Sequence, residues 1–380
     1  MCYVGIIGYG GGPSIIAFLK DIFVNRKAWM TEEDFLTGVS LSQLLPGANA
    51  MATVVYIGYR MQGSLGAAIA PVAFIFPSTV LMIALSALYF LYGSLHIVLV
   101  LFTGLGAVVI GLLVNAVIVM GRSAIKNIWA ALIALAVLLT MLCWKDAQIL
   151  LIVPACALLG LLIFRNPRED ASAAAAPPAE TVPTPPWFWW STLVVLLAVV
   201  LLFVLTAQSP VTRMFLALLR VGVFTFGGGY ASVPLFQQVA VSQYHWLTLQ
   251  QFRDGIALGQ VTPGPVLITS SFIGYRVLGI LGGVLGTIAV FMPGALAMFF
   301  VAHQSERFVH LRWLQAMVRG IVAGFIGVIL AVTIHLGQQS ITDWKTLILA
   351  IASAFVLTVL KRDPIWVILG GAVLSMLLFY

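Results

Sequence analysis

Charged side chains are scarce in this sequence of 380 residues: 8% are Asp, Glu, Lys or Arg, whereas 62% are hydrophobic. With a mean hydropathy of +1.10, most of the chain is stable only in a lipid bilayer, which argues against every soluble class of protein. A net charge of +7 would suggest nucleic acid as the partner of a soluble protein. Here the basic residues lie in short loops between apolar runs, where a topology signal explains them, and we predict no nucleic-acid partner.

Cysteine and histidine are also scarce, and neither is arranged for chemistry. The three cysteines, Cys2, Cys143 and Cys156, have no metal-binding or redox spacing, and the five histidines are scattered along the chain. The apolar runs contain no Ser/His/Asp, His-Glu-x-x-His or paired-aspartate pattern and no cofactor fingerprint. We therefore predict no enzyme, no cofactor and no metal, against the alternative of an intramembrane enzyme.

Apolar runs long enough to cross a bilayer recur along the whole chain, six in each half. The first six lie near 1–19, 36–59, 65–92, 95–120, 128–143 and 147–164. The last six lie near 211–240, 252–275, 277–302, 314–337, 344–360 and 364–380. Between the halves, an Ala/Pro-rich stretch predicts a solvated linker over 166–187, and a further apolar run predicts a connecting transmembrane helix over 188–209.

The two halves carry the same signals in the same order, which indicates an internal duplication. Gln43 matches Gln260, and Gly58 matches Gly274 at an offset that is shorter by one, so one single-residue gap aligns the halves. We predict an all-α polytopic membrane protein of about 12–13 transmembrane segments, with broken helices, in two homologous repeats over 1–165 and 210–380. A single connecting span would turn the second repeat upside down relative to the first, an arrangement found in many secondary transporters.

The basic residues support an orientation only weakly under this scheme. Ten Lys and Arg side chains, Arg60 and Arg253 among them, would lie on the side of the linker. Seven, Arg276 among them, would lie on the other side. The positive-inside rule then favours a cytoplasmic linker.

Helix starts are predicted between the first and second apolar runs of each half. Thr31 and Thr248 can cap the free backbone amides, and Asp34 and Gln251 lie at the third helical position of a capping box. The acidic run 32–34 could instead bind a cation, but the second copy lacks it, so we prefer the structural role.

Two of the apolar runs are too polar and too broken for ordinary spans. Residues 36–59 contain Pro46-Gly47, and residues 252–275 contain Pro263-Gly264-Pro265. Such a pair breaks a helix, and irregular backbone inside a membrane is tolerated only where it lines a cavity or packs within protein. Thr262 before a proline predicts the capped start of a new half-helix.

Backbone N–H groups at these breaks and at the two glycine triplets suit an anion. Close helix packing is the alternative role for membrane glycines, and we prefer it for Gly279, Gly282, Gly283 and Gly286. An arginine at each mouth would attract the anion. The predicted substrate-binding residues are Gly10, Gly11, Gly12, Gln43, Pro46, Gly47, Asn49, Arg60, Gly227, Gly228, Gly229, Gln260, Thr262, Pro263, Gly264, Pro265 and Arg276.

With these motifs the chain resembles the chromate ion transporter family, in its long, two-repeat form. The resemblance covers nearly the whole chain, although Ala48 stands where the first copy usually completes Pro-Gly-Pro. The residues that carry it are 10–13, 29–31, 43–47, 56–60, 76–78, 226–229, 259–265 and 272–275.

The resemblance implies export of chromate across a bacterial inner membrane, driven by the membrane gradient and giving chromate resistance. From the residues alone the substrate is a tetrahedral or similar oxyanion, and sulfate is the alternative because its charge and shape match those of chromate. A passive scaffold would not need two polar, broken spans. Further predicted partners are a coupling ion such as the proton, the lipid bilayer and a second copy in a homodimer.

Overall fold

The computed structural model describes residues 1–9, 11–93, 95–144, 148–164, 209–303 and 311–379. The predicted linker and nearly all of the predicted connecting helix lie outside these ranges, as does Gly10. Regular structure within them is helical, and no strand occurs in the described residues.

Each repeat contributes seven α-helices to the described residues. Those of the first repeat are α1 (Cys2–Ile7), α2 (Gly11–Lys20), α3 (Glu32–Leu44), α4 (Asn49–Tyr92), α5 (His96–Ala124), α6 (Ile128–Cys143) and α7 (Ile149–Ile163). Those of the second are α8 (Pro210–Phe224), α9 (Ser232–Gln237), α10 (Leu249–Val261), α11 (Thr269–His303), α12 (Arg312–Ser340), α13 (Trp344–Thr358) and α14 (Pro364–Phe379). Helices α2 and α9 continue as π-helical turns, Asp21–Arg26 and Gln238–Gln243.

The longest helix of each repeat is broken at the same place. In α4 the backbone leaves helical geometry at Gln62 and at Gly63, where φ is 59° and ψ is −145°. In α11 it does so at Leu278 and at Gly279, where φ is 60° and ψ is −144°. The internal duplication is therefore present in the backbone, down to the dihedral angles of one glycine.

The chain reverses direction at these breaks. A Cβ on Gly58 would overlap the carbonyl oxygen of Gly66, although eight residues of straight helix would separate the two by about 12 Å. Gly274 meets Gly282 in the same way. We call the parts of α4 before and after the break α4a (49–61) and α4b (64–92), and those of α11 α11a (269–277) and α11b (280–303).

Helices α3 and α4a form a helical hairpin. Arg60 at the end of α4a contacts Asp34 at the start of α3 at 3.0 Å, and Gly38 packs against the ring of Tyr56. Helix α3 is about 20 Å long, and the side-by-side contacts with α4a rather than its length make the pair a hairpin. The chain turns back between them at Pro46-Gly47.

Helices α10 and α11a pair likewise, with Gly255 against Phe272 and the turn over 262–268. We call the pairs α3–α4a and α10–α11a the first and second proline hairpins. The prediction of one broken span over 36–59 and another over 252–275 is therefore wrong, because each Pro-Gly stretch reverses the chain rather than interrupting a crossing helix.

The glycine triplets also lie in turns of helical hairpins. The rings of Tyr3 in α1 and Phe18 in α2 lie 6.2 Å apart, on either side of a turn that begins at Gly8. Val221 of α8 and Leu235 of α9 line one narrow cleft, on either side of the turn at Gly227–Gly229. We call α1–α2 and α8–α9 the first and second glycine hairpins. The prediction of single spans over 1–19 and 211–240 is therefore also wrong, because the chain reverses within each of them.

Four helices among the described residues are long and apolar enough to cross a membrane: Asn49–Tyr92, His96–Ala124, Val266–Ala302 and Arg312–Ser340. Helices α6, α7, α13 and α14 are apolar and shorter, at 15 or 16 residues, and they expose many large hydrophobic side chains. The protein is an all-α polytopic membrane protein. Helix α12 packs closely on α7, where Gly320 meets Gly160, and on α6, where Gly327 meets Ala134.

Of the four glycines predicted to serve close packing, three do so. Gly282 meets Gly274, Gly283 meets Ile83, and Gly286 meets the carbonyl oxygen of Ser270. Gly279 instead supplies the positive φ of the chain reversal.

The two proline hairpins have their open ends at opposite ends of α4b. The first lies at its start, since α4b follows α4a directly after the reversal at Gly63. At its far end, about 40 Å away, the ring of Phe90 stacks on Phe272 and Tyr275 of the second hairpin, with centroids 5.0 and 6.1 Å apart. Helices α4b and α11b thus run side by side between the two hairpins.

Both predicted helix starts are confirmed. The hydroxyl of Thr31 accepts a hydrogen bond from the backbone N–H of Asp34 at 3.2 Å. Thr248 and Gln251 form a complete capping box. The carboxylate of Asp34 binds Arg60 instead of closing a second box.

Candidate functional site

The turns of the hairpins meet in two matching pairs. The backbone N–H of Gly47 in the first proline hairpin donates to the carbonyl oxygen of Thr225 in the second glycine hairpin, at 2.7 Å. The N–H of Gly264 in the second proline hairpin donates to the carbonyl oxygen of Gly8 in the first glycine hairpin, at 2.8 Å. The two donors hold matching positions in the repeats, as do the two acceptors, so the duplication relates the two bonds. Each repeat therefore closes on the other through its turns.

The turn glycines adopt backbone conformations that residues with a Cβ rarely reach. Gly264 has φ +108°, and an added Cβ would lie 2.8 Å from the hydroxyl oxygen of Ser78 in α4b. Gly47 has φ +94°, and its Cβ would lie 3.3 Å from the Cα of Gly294 in α11b. Positive φ also occurs at Gly11, Gly227 and Gly228. These positions explain why the turns contain glycine.

Open space adjoins the glycine turns. An added Cβ on Gly11, Gly12 or Gly228 would meet no heavy atom within 4 Å. Gly229, by contrast, lies against Val266 of the second proline hairpin. The backbone at Gly12 and Gly228 therefore adjoins space for a small ligand beside the packed turns.

Gln260 links the second glycine turn to the second proline turn. The hydroxyl of Tyr230 donates to its Oε1 at 3.2 Å, and the side chain is buried. Its Nε2 is buried without a hydrogen-bond partner among the described residues. An unpaired buried amide costs about 1–3 kcal/mol, so an anion that accepted from Nε2 would recover that energy.

Several hydroxyl groups near these turns are also buried without a hydrogen-bond partner among the described residues. Ser78 lies against Gly264, and Ser270 and Ser271 start α11a directly after the second proline turn. Their hydroxyl oxygens have no hydrogen-bond partner within the part of the chain that the structure describes, and nor has Oδ1 of Asn49. Buried polar groups are normally satisfied, so the unpaired hydroxyl groups beside the second proline turn point to a ligand, whereas Oδ1 of Asn49 is an acceptor and is not one of these donors.

The two copies of the site differ. Gln43 is exposed, whereas its counterpart Gln260 is buried. Pro13 stands where the second copy has Tyr230, so the first copy lacks the hydroxyl that orients the amide. The second copy is the more enclosed of the two.

Thr262 does not start a half-helix, and that prediction is wrong. It ends α10, where its hydroxyl donates to the carbonyl oxygen of Leu258 at 2.9 Å and lies 3.5 Å from Sδ of Met82. The next helix begins only at Thr269, after a 3₁₀ turn over Val266–Ile268. Pro263 and the residues around it form the turn rather than a helix start.

Arg60 and Arg276 lie apart from this cluster, at the open ends of the two proline hairpins. One nitrogen of Arg60 contacts both carboxylate oxygens of Asp34 at 3.0 Å. Arg276 is exposed, and its guanidinium lies 5.6 Å from the centre of the Phe90 ring. The structure therefore brings together the glycines, prolines and Gln260 but not the two arginines.

Sequence reasoning missed Tyr230, Ser78, the Ser270-Ser271 pair and a buried acid, Asp254. Asp254 is 2% exposed and follows Arg253 in α10. An Arg-Asp pair inside an apolar run was the available signal. Among the described residues, no three His, Cys, Asp or Glu side chains come together as metal ligands.

The chromate transporter family model matches residues 1–161 and 212–376 of this chain. The chain is similar to a chromate transport protein of Cupriavidus metallidurans, with 30% identity over 99% of this chain and 91% of the relative. It is 32% identical to a chromate transport protein of Pseudomonas aeruginosa, over 88% of this chain and 79% of the relative. An uncharacterized transporter of Methanocaldococcus jannaschii is 31% identical over 99% of this chain and 92% of the relative. No solved structure matches the chain.

Proposed function

Since the chain belongs to the chromate transporter family, we propose that it exports chromate from the cytoplasm across a bacterial inner membrane and so confers chromate resistance. It is a multi-pass transporter and not an enzyme. The observation that carries the proposal is the meeting of four helical hairpins through their turns, with buried, unpaired donors beside them.

The chemistry of this cluster suits a dianion. An oxyanion accepts hydrogen bonds only, and the cluster offers the amide of Gln260, the hydroxyls of Ser78 and Ser270, and backbone N–H groups at the glycine turns. The acid nearest to Gln260 in sequence, Asp254, lies six residues before it, about 9 Å along α10. The predicted site residues at both sets of turns, Gly10 included, remain our proposal for the binding site.

Sulfate is the second candidate substrate, since it carries the same charge on nearly the same tetrahedral shape. Hydrogen-bond donors that surround an oxyanion recognise its charge and shape, and they do not distinguish its central atom. The relatives' names favour chromate.

We further propose that the repeats are inverted, with the predicted connecting helix crossing the membrane once. The open ends of the proline hairpins contact opposite ends of α4b, which supports inversion. We count α4b, α5, α6 and α7, and their four counterparts in the second repeat, as crossing helices; because this number is even, inversion requires one more crossing between the repeats.

The charges of the described residues support a cytoplasmic position for the first proline hairpin. We counted the basic residues again with the four hairpins treated as entering and leaving the membrane on one side. Nine then lie on the side of the first proline hairpin: Lys20, Arg26, Lys27, Arg60, Arg122, Lys126, Arg312, Lys361 and Arg362. Four fall on the opposite side: Arg213, Arg253, Arg276 and Lys345. Arg220 and Arg319 lie inside α8 and α12 and are not counted. Compared with the count from spans alone, Lys20, Arg26 and Lys27 move to the side of Arg60 and Arg253 moves to the other side, which strengthens the bias.

The membrane potential by itself favours export of a dianion. Moving one charge through 100 mV changes the free energy by about 2.3 kcal/mol, so an ion of charge −2 leaving a negative interior gains about 4.6 kcal/mol. At equal concentrations on the two sides, export is therefore downhill without a second ion. Coupling to a proton and assembly as a homodimer stay predictions.

Transport into inverted vesicles tests the proposal. Vesicles from cells that make the protein should accumulate chromate when an interior-positive potential is imposed, and control vesicles should not. Parallel measurements with radiolabelled sulfate identify the preferred oxyanion. Chromate accumulation equal to that of the control vesicles would refute export by this chain.

A further inference from the structure

A polar cavity lies beside the open end of the second proline hairpin, away from the meeting turns. Its volume is about 340 Å³, room for about ten waters at 30 Å³ each. Its polar lining comes from three helices and the loop after α12: Thr103, Gln250, Arg253, Gln339, Ser340 and Thr342. The cavity can therefore admit a tetrahedral oxyanion with part of its hydration shell.

Arg253 is the positive charge of this cavity, and its side chain is only 11% exposed. Nη1 donates to the hydroxyl of Ser340 at 3.3 Å, and Nε and Nη2 both contact Oδ1 of Asp254 at 3.4 Å. Charge-assisted hydrogen bonds are normally about 2.7–2.9 Å long, so these contacts are loose. A guanidinium has five N–H donors, which leaves two N–H groups outside these contacts.

Asp254 is the only fully buried charged side chain among the described residues. Its Oδ2 accepts a hydrogen bond from the hydroxyl of Tyr89 in α4b at 2.8 Å. Tyr89 and Arg253 are the titratable and charged groups that face it. The carboxylate is thus held firmly by the tyrosine and only loosely by the arginine.

Helix α5 is shaped to hold the guanidinium in this position. A Cβ on Gly106 would overlap Nε of Arg253 and lie 2.5 Å from its Cζ. The guanidinium therefore packs directly on the backbone of α5. Any larger residue at this position would push it away.

The symmetry-related place, between the first proline hairpin and α12, lacks the arginine, the acid and the glycine. Leu36 and Thr37 stand at the positions of Arg253 and Asp254, and Val322 stands at the position of Gly106. The same backbone therefore folds without the arginine, the acid or the glycine, so the fold does not require them. The arginine, the acid and the glycine therefore occur at only one of the two related places.

We propose that this cavity is a second oxyanion-binding site, in which Arg253 binds a tetrahedral dianion and Asp254 competes with that anion for the guanidinium. The identity of the anion rests on the proposed function. The competition keeps the affinity low, which lets an anion that has passed the turns leave at this side. Asp254 acts here as a positioning residue and does not contact the anion.

Equilibrium binding of chromate and radiolabelled sulfate to the purified protein tests this proposal. Asp254→Asn removes the competitor and should tighten binding about threefold or more, because the guanidinium regains its donors. The double variant Arg253→Gln/Asp254→Asn leaves no unpaired buried charge, and it should bind about tenfold or more weakly than Asp254→Asn. Gly106→Ala, which displaces the guanidinium without changing the charge, should also weaken binding. Lys345→Gln, which removes one positive charge on the same side, is the matched control.

Equal affinities of the double variant and Asp254→Asn would overturn the proposal, as would an equal loss in Lys345→Gln. Binding and transport separate this inference from the proposed function. Binding that depends on Arg253, without chromate transport in vesicles, would refute export and leave the cavity site standing. If the wild type transports chromate but binding does not depend on Arg253, the cavity site is refuted and the proposed export stands.

Discussion

Gly264→Ala tests whether the paired turns are needed for transport. The substitution adds one methyl group to the second proline turn and removes no polar atom. Its N–H, which bonds to Gly8, stays in the chain. Any effect must therefore come from the conformation of the turn and from the contact with Ser78.

Two terms determine the size of the effect. A residue with a Cβ at φ +108° is strained by about 1–3 kcal/mol. The new methyl group would also lie 2.8 Å from the hydroxyl oxygen of Ser78, a contact that the serine relieves by rotating. If the turn instead relaxes out of its conformation, the strain is relieved, but its bond to Gly8 is lost at a cost of about 0.5–1.5 kcal/mol. The population of the competent turn should then fall by about tenfold to a hundredfold, since about 1.4 kcal/mol is a factor of ten.

Initial rates of chromate accumulation in inverted vesicles, at matched membrane abundance, measure this loss. Gly370→Ala is the control, because that glycine lies inside α14 and an added Cβ meets no atom within 4 Å. Ser78→Ala removes both the contact and a proposed donor, so the further loss that Gly264→Ala causes in a Ser78→Ala chain measures the part that is due to φ. If Gly264→Ala transports and melts like Gly370→Ala, the turn is not part of the transport path.

Three further predictions concern the arrangement of the repeats. Reporter tags after Lys27 and within the loop at His245 should lie on opposite sides of the membrane; the same side for both would exclude inverted repeats. Arg276→Gln should raise the chromate concentration for half-maximal transport more than Arg60→Gln does, with Lys a partial replacement, because Asp34 already offsets the charge of Arg60; unchanged values for both would make the arginines anchors. Gly274→Leu should lower the abundance of the folded protein, because its side chain would overlap the backbone at Gly282, at a cost of about 1–3 kcal/mol or more; normal abundance and melting would mean that the chain does not reverse there.

The sequence by itself determined that the protein lies in a lipid bilayer, that it contains an internal duplication, and where helices are capped or broken locally. Each depends on residue types at fixed separations along the chain. Apolar runs require a bilayer, a nearly constant offset between matching motifs shows two copies, and Thr248 caps the helix that follows it. The glycine triplets and Pro-Gly stretches were recognised as breaks for the same reason.

Only the tertiary structure decided where the chain goes after each break. A Pro-Gly stretch interrupts a helix equally well inside a crossing span or at the tip of a hairpin, and the choice depends on φ and ψ at one or two residues. Gly63, with φ of 59°, turns α4 back on itself, and no residue pattern distinguishes it from a packing glycine. Because the hairpins reverse, Arg253 lies on the same side as Arg276 rather than opposite it.

The contacts that make the site also depend on distant residues. Gly47 meets Thr225, and Asp254 is buried by Tyr89, across separations that no local pattern encodes. A hydrogen bond between turns forms only after both hairpins have packed against α4b and α11b, so its partners follow from packing and not from spacing along the chain. The same packing brings an arginine and a carboxylate, unremarkable as neighbours in sequence, to the wall of a polar cavity.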